Sequence, residues 1–208
     1  LVCAHQNYRA TYEEFYVQTA QVAKALINLG VKSGERVGIW APNRYEWVLL
    51  QYATARIGVI LVNINPAYRT SELIFVLNQS QIKYIFASQS FKSSNYKKMV
   101  DDAREFTSTL VDEVFFDKNW DDFLKGAAHI SDEELQNYEN QIQFDDPVNI
   151  QYTSGTTGFP KGVTLSHHNI LNNGYFIGIR LHYTEKDRVC IPVPFYHCFG
   201  MVIGNLCC

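Results

Sequence analysis

The chain has 208 residues, of which 47% are hydrophobic, and this is enough apolar surface for one large or two small folded domains. Its net charge is −3, from 18 basic and 21 acidic side chains, and lysine and arginine form no cluster along the sequence. Proteins that bind nucleic acid usually carry a basic patch. We therefore expect no nucleic acid among its partners.

The five cysteines favour a reducing intracellular compartment, because they are odd in number and follow neither C-x-x-C spacing nor a secreted disulfide pattern. Cys190, His197 and Cys198 lie close together in the sequence, but a fourth zinc ligand is not evident. Buried apolar cysteine is the more common state, and we predict no metal site. No transmembrane segment is predicted, since prolines and glycines interrupt the most apolar stretch, residues 192–208.

The first part of the chain predicts alternating helices and strands. Thr11 and Glu14 form a T-x-x-E capping box, and the apolar spacing that follows predicts a helix over Tyr12–Leu29. Short apolar runs predict buried strands, and amphipathic runs between them predict helices. The predicted strands are 36–40, 59–64, 83–87 and 113–116, and the further helices are 44–58, 71–78 and 96–106.

Two stretches of this part need closer interpretation. Tyr45, Trp47 and Tyr52 could form an aromatic ligand platform, but at helical spacing core packing is the more common outcome, and we predict core. Residues 120–140 carry more charge and few strong apolar anchors. We predict that they form a surface excursion with short helical turns.

The second part of the chain continues the alternation. "DPVNIQYTS" predicts a strand over 146–154, and "KGVTLS" predicts a short strand, with Ser166 capping the helix that follows. Strands without in–out alternation, separated by amphipathic helices, indicate an α/β fold with a mostly parallel sheet flanked by helices. The remaining predicted elements are a helix over 167–181, a strand over 188–192 and a helix from 196 onward.

Between two of these strands lies "YTSGTTGFPKG", residues 152–162, with three glycines and four serine or threonine hydroxyls. Glycine lets a backbone close around an anion, and hydroxyl and peptide N–H groups donate hydrogen bonds to its oxygens, so we predict a phosphate loop. The nucleotide-binding P-loop does not match, because Pro160 replaces its second glycine and Gly162 its magnesium-binding hydroxyl. A flexible connector is the alternative, but flanking strands favour a positioned loop.

The stretch "YTSGTTGFPKGVTLSHHNI" closely resembles the signature phosphate loop of the adenylate-forming, AMP-binding enzymes, which include acyl-CoA synthetases, luciferases and peptide-synthetase adenylation domains. "PVPFYHCFG" resembles the next motif of that family. Residues 36–80 resemble its N-terminal subdomain and, with "LSHHNILNN", look most like the mitochondrial medium-chain fatty acyl-CoA synthetases. The resemblance implies a ligase of fatty acid metabolism in the mitochondrion.

The reaction implied by this resemblance has two steps. A fatty-acid carboxylate attacks the α-phosphate of MgATP to give an acyl-adenylate and pyrophosphate, and the thiol of coenzyme A then displaces AMP. Charge on the phosphates and positioning dominate the first barrier, so N–H groups, hydroxyls and a lysine suit its catalysis. The implied partners are therefore the small molecules fatty acid, ATP and coenzyme A, with Mg²⁺ accompanying the nucleotide.

The resemblance also implies roles for single residues. Lys161 would offset charge on the departing pyrophosphate, and Pro160 would stiffen the loop before it. His197 matches the family residue that lies near the substrate carboxylate and can gate the acyl and nucleotide pockets, whereas a packed histidine at a helix start is its structural alternative. The implied nucleotide-binding residues are Thr153, Ser154, Gly155, Thr156, Thr157, Gly158, Phe159, Pro160 and Lys161.

The resemblance covers residues 1–208 but only the first part of the large N-terminal domain of this family. The rest of that domain, the main magnesium ligand and the small C-terminal domain are expected further along a longer chain. We therefore expect a partial AMP-binding domain that is inactive alone. Two alternatives remain open: a truncated non-catalytic nucleotide-binding or interaction module, and an adenylation enzyme with a different second half-reaction.

Overall fold

The computed structural model describes residues 1–153 and 160–208. In these ranges six strands form a central sheet, and two short hairpins lie outside it. The strands are β1 (Val2–Cys3), β2 (Tyr8–Arg9), β3 (Arg36–Trp40), β4 (Ile60–Asn63), β5 (Tyr84–Ala87), β6 (Ser90–Phe91), β7 (Ser94–Asn95), β8 (Asp112–Phe115), β9 (Pro147–Thr153) and β10 (Lys161–Ser166).

Helices connect most of these strands. The first begins at the predicted capping box, in which Thr11 Oγ1 accepts from the backbone of Glu14 and the Glu14 carboxylate accepts from the Thr11 N–H. The helices are α1 (Tyr12–Asn28), α2 (Tyr45–Arg56), α3 (Thr70–Gln79), α4 (Tyr96–Arg104), α5 (Trp120–Lys125), α6 (Asp132–Glu139) and α7 (His167–Arg180). A π-helical segment, Phe199–Leu206, lies near the C-terminus.

The central sheet has the strand order β10-β9-β4-β3-β5-β8. The five strands from β9 to β8 are parallel, and β10 joins β9 antiparallel at one edge. Successive strand residues enter two separate cores: Ile39 packs in the core that contains α1 and α2, whereas Trp40 packs with α3 and α4. The predicted α/β fold, with a mostly parallel sheet flanked by helices, is confirmed.

Residues 120–140 form short helical turns and are mostly exposed, as predicted, but they are anchored more firmly than a surface excursion. They form α5, a 3-10 turn and α6, and they pack across α1. Trp120, Ala127 and Leu135 are buried, and the ring of Trp120 meets Phe116 at 5.3 Å. These apolar residues are widely spaced along short, charged helices, so they form no apolar stripe that the sequence would show. They come together only in the tertiary structure.

The strand predicted over 188–192 is wrong, because residues 188–193 have no regular secondary structure. Pro192 lacks the N–H that a strand ladder needs. Instead, the side chain of Asn43 hydrogen-bonds the main chain of Val193 and Phe195. A single amide side chain thus binds the main chain directly after the predicted strand.

Candidate nucleotide-binding site

The predicted phosphate loop leaves the carboxyl edge of the parallel sheet. Thr153 ends β9, and Gln151 two residues earlier pairs with Asn63, the last residue of β4. Lys161 begins β10 directly opposite Thr153. The two ends of the loop therefore meet at the edge where open parallel sheets bind their ligands.

The sequence-predicted loop residues are only partly described. Thr153 and Lys161 are exposed and paired, and Pro160 is half-buried. Ser154, Gly155, Thr156, Thr157, Gly158 and Phe159 lie outside the described residues. Their assigned roles in nucleotide binding stay predictions.

Cross-strand packing explains the last glycine of the motif. A Cβ on Gly162 would lie 3.3 Å from Cζ of Tyr152, its partner on β9, and 3.2 Å from Cγ2 of Ile150. The Tyr152 hydroxyl is 2.6 Å from Ser80 Oγ, which links β9 to the end of α3. Glycine at this position lets the tyrosine ring cross β10 and brace the base of the loop.

His197 lies in a tight turn before the π-helical segment. Its N–H donates to Pro194 O at 3.2 Å, and its carbonyl accepts from Gly200 N and Met201 N. A Cβ on Gly200 would lie 2.3 Å from Pro194 O, so only glycine permits this turn. The "HCFG" part of the motif thus specifies a backbone turn.

Hydrogen bonding also orients the exposed ring of His197. Nδ1 accepts from Phe199 N at 3.1 Å, so in the neutral ring the proton is assigned to Nε2. The ring therefore presents an N–H donor from its free nitrogen. A donor in that position suits a carboxylate or phosphate oxygen better than it suits proton abstraction.

Buried amide side chains lie between β9 and the His197 turn. Asn63 is 1% exposed and donates to Met201 Sδ at 3.4 Å, and Gln151 Nε2 reaches the same sulfur at 3.7 Å. Gln51 Oε1 accepts from Asn205 Nδ2 at 3.0 Å. The sequence prediction missed these residues, although asparagine inside the apolar run "VILVNI" is an unusual strand residue and could have signalled them.

A partly buried ionic cluster lies at the same carboxyl edge, beyond β3, β5 and β8. The Arg44 guanidinium donates to both carboxylate oxygens of Glu46 at 2.8 Å, to Asp117 at 2.9 Å and to Ser88 Oγ at 3.0 Å. Burial opposes its charge, but the hydrogen bonds and charges of Glu46 and Asp117 outweigh that effect and raise the pKa of Arg44. The cluster joins the ends of three strands, and all four of its side chains are hydrogen-bonded.

The structure also locates the histidine and cysteine residues that the sequence singled out. Ser166 caps α7 as predicted, and burial lowers the pKa of His167, whose Nε2 is buried without a hydrogen-bond partner. Cys190 is exposed rather than buried, and burial raises the pKa of the half-buried Cys198 thiol. Across residues 1–153 and 160–208, no three His, Cys, Asp or Glu side chains are grouped to hold a metal ion. No helix in these ranges is both long and apolar enough to cross a membrane.

Comparison with known proteins connects this architecture to a family. The family model described as "AMP-binding enzyme" matches residues 1–208. The mitochondrial medium-chain acyl-CoA ligase ACSF2 of Danio rerio is 39% identical, over 99% of this chain and 38% of that protein. The putative acyl-CoA synthetase YngI of Bacillus subtilis is 38% identical, over 100% of this chain and 42% of that protein. The chain thus spans about two fifths of the length of these relatives.

Solved structures share the fold. The inhibitor-bound N-terminal domain of FACL13 from Mycobacterium tuberculosis superimposes with a TM-score of 0.80 at 25% identity, covering 98% of this chain and 50% of that one. ATP-bound MatB from Rhodopseudomonas palustris gives a TM-score of 0.78 at 26% identity, covering 97% of this chain and 38% of that one. The latter protein binds ATP on an architecture similar to the one described above.

Proposed function

Because the chain belongs to the family of AMP-binding enzymes, we propose that it is the phosphate-binding part of an ATP-dependent fatty acid–CoA ligase. The complete enzyme joins a medium-chain fatty acid to coenzyme A in the mitochondrion. The observation that supports this most directly is the pairing of Thr153 with Lys161 at the carboxyl edge of the sheet. The names of the relatives support the acyl-CoA product, the chain length and the compartment.

The proposed first step forms an acyl-adenylate. A carboxylate oxygen attacks the α-phosphorus of ATP, the bond to the β-phosphate oxygen breaks, and pyrophosphate leaves. In this proposal the loop over 153–161 surrounds the phosphates, and Lys161 offsets the negative charge that develops on the leaving group. His197 donates from Nε2 to an oxygen of the substrate carboxylate and keeps it oriented for attack.

In the proposed second step the sulfur of coenzyme A attacks the acyl carbon, the bond from that carbon to the bridging phosphate oxygen breaks, and AMP leaves with that oxygen. The thiol proton passes to solvent. Magnesium bound to ATP would supply charge neutralisation. The described residues offer no grouped set of three ligands for it, so we assign no residue of this chain to the metal. We likewise propose that residues 1–208 are a partial AMP-binding domain whose activity needs the additional length seen in the relatives.

The test is ATP–pyrophosphate exchange with fatty acids of increasing chain length. It compares the 208-residue chain with a version extended in frame to the length of the relatives. We expect exchange in the extended version, with a maximum at medium chain length, and acyl-CoA formation when coenzyme A is added. Exchange without acyl-CoA would favour an adenylation enzyme with a different second half-reaction. Absence of exchange in both versions would favour a non-catalytic binding module.

A further inference from the structure

The segment that leads into His197 has no strand partner and is held by two asparagine side chains. Asn43 Nδ2 donates to Val193 O at 2.8 Å, and Asn43 Oδ1 accepts from Phe195 N at 2.8 Å. Asn63 Nδ2 donates to the carbonyl of Tyr196, the residue directly before His197, at 3.3 Å. Asn43 follows β3 and Asn63 ends β4, so both belong to the carboxyl edge of neighbouring parallel strands.

Asn63 also connects this segment to the strand that enters the phosphate loop. Its Oδ1 accepts from Asn149 Nδ2 at 3.0 Å, and the same Nδ2 donates to Leu61 O at 2.8 Å. Asn149 lies on β9, four residues before Thr153, and is 2% exposed. With water excluded, these bonds have no ready replacement, and a shift of one partner displaces the next.

The aromatic contact beside these bonds sets the depth of the segment. The ring of Phe195 packs against Trp47 with their centroids 5.5 Å apart, and Phe195 is 9% exposed. This apolar contact has no preferred direction, so it does not fix the rotation of the segment about its own axis. The asparagine hydrogen bonds fix that rotation, because each one is directional.

We infer that Asn43 and Asn63 are positioning residues that hold His197 in register with the phosphate loop. The inference rests on the proposed function, in which His197 contacts the substrate carboxylate. At Asn63 an apolar side chain would bury equally well, and asparagine is disfavoured in strands. The asparagines at the end of β4 and in the turn after β3 are explained by the main-chain groups that they align. Misplacement of a reacting group by about 1 Å can cost on the order of 10²-fold in rate.

Two variants test this in the version of the protein extended in frame. Asn43→Ala removes both bonds to the segment, whereas Asn63→Asp keeps the acceptor for Asn149 and removes the donor to the carbonyl. We expect each to lower kcat/KM for the fatty acid in pyrophosphate exchange by about tenfold or more. The KM for ATP should change less than about twofold, because the phosphate loop is intact.

The decisive measurement combines each variant with His197→Ala. If the asparagines act through His197, each change should cost less than about twofold in the His197→Ala background, since the group it positions is gone. Equal losses in both backgrounds would overturn the inference, because a purely structural role is additive. Wild-type exchange in His197→Ala would also overturn it.

The matched control is Asn78→Ala. Asn78 also donates from Nδ2 to a main-chain carbonyl, that of Phe106, at 2.9 Å, but it lies at the end of α3. The Asn78→Ala variant should retain full kcat/KM for the fatty acid. If Asn63→Asp does not fold, the half-buried Asn43 provides the test on its own. Absence of exchange in the unsubstituted extended protein would overturn the proposed function and this inference together, whereas exchange with additive losses would overturn the inference alone.

Discussion

Helix α2, before the phosphate loop, and helix α7, after it, have similar lengths but contrasting environments. Eight of the 12 residues of α2 are buried, whereas Ile170 and Gly174 are the buried residues among the 14 of α7. Yet α7 is not polar: Tyr175 is 65% and Phe176 is 58% exposed. Leu171 and Ile179 of the same helix are also more than half exposed within the described residues.

This difference indicates that the region before the loop mainly determines stability and the region after it mainly determines function. The region before the loop supplies most of the buried side chains of both cores, so substitutions there should act mainly on the free energy of unfolding. The region after the loop is held by hairpin pairing, a few buried side chains and directional hydrogen bonds. Substitutions in it should act mainly on activity.

The largest stability effect is expected for Arg44, at the start of α2. Replacement by Met leaves the carboxylate of Glu46, 4% exposed, without its cation, which should cost about 3–5 kcal/mol of unfolding free energy. Urea unfolding followed by tryptophan fluorescence measures it. The double variant Arg44→Met/Glu46→Leu should recover part of the loss. A single-variant loss below about 1 kcal/mol would show that the ion pair is dispensable.

A pair of leucines compares the two helices directly. Leu50 of α2 is fully buried, and Leu50→Ala should cost about 2–5 kcal/mol through lost burial and a cavity. Leu171 of α7 is 56% exposed, and Leu171→Ala should change stability by less than about 0.5 kcal/mol. The measurement is again urea unfolding. Equal losses would mean that α7 is covered in solution.

Lys161 should show the opposite behaviour to the core residues. In the extended protein, Lys161→Ala should slow carboxylate-dependent pyrophosphate exchange by about one to three orders of magnitude, the scale of losing one charge-stabilising group. Its thermal midpoint should stay unchanged because the side chain is exposed. Lys98→Ala, which removes a surface ion pair with Asp102, is the control and should keep full exchange. Full exchange in Lys161→Ala would remove this lysine from the mechanism.

The smallest effect is expected at His167. Burial lowers the pKa of its imidazole below the ordinary value of 6.5, so the folded state disfavours the charged ring. The unfolded chain therefore binds the proton more readily, and the protein should lose stability as the pH falls below about 6.5. Thermal midpoints measured across this range should fall less steeply for His167→Gln. Parallel profiles for the two proteins would contradict the assignment.

Much of the fold could be predicted from local patterns. The capping box at Thr11 and the apolar runs of β3 and β5 place their elements within one or two residues of those observed. The core position of Trp47 could also be predicted, since its helical spacing indicates burial and the side chain is fully buried. Local propensity and hydrophobic periodicity depend on a few neighbouring residues, so they can be read directly from the sequence.

The candidate site could be predicted less well from the sequence, and the reason is physical. Asn43 and Asn63 are separated from the segment they bind by more than 130 residues. Asn63 is unusual inside an apolar run, but no local pattern shows which main-chain groups either side chain binds. The strand predicted over 188–192 failed for the same reason, because strand formation depends on a partner edge that the sequence does not display.

By itself, the sequence determined the alternation of elements, the α/β class and the family motifs at 152–162 and 192–200, because each depends on residues that are neighbours along the chain. Only the tertiary structure decided that β10 joins antiparallel, that residues 120–140 pack on α1, and that Asn43 and Asn63 bind the segment before His197. These features depend on contacts between distant segments. Such contacts form when the whole chain buries its apolar surface and satisfies its main-chain hydrogen bonds together.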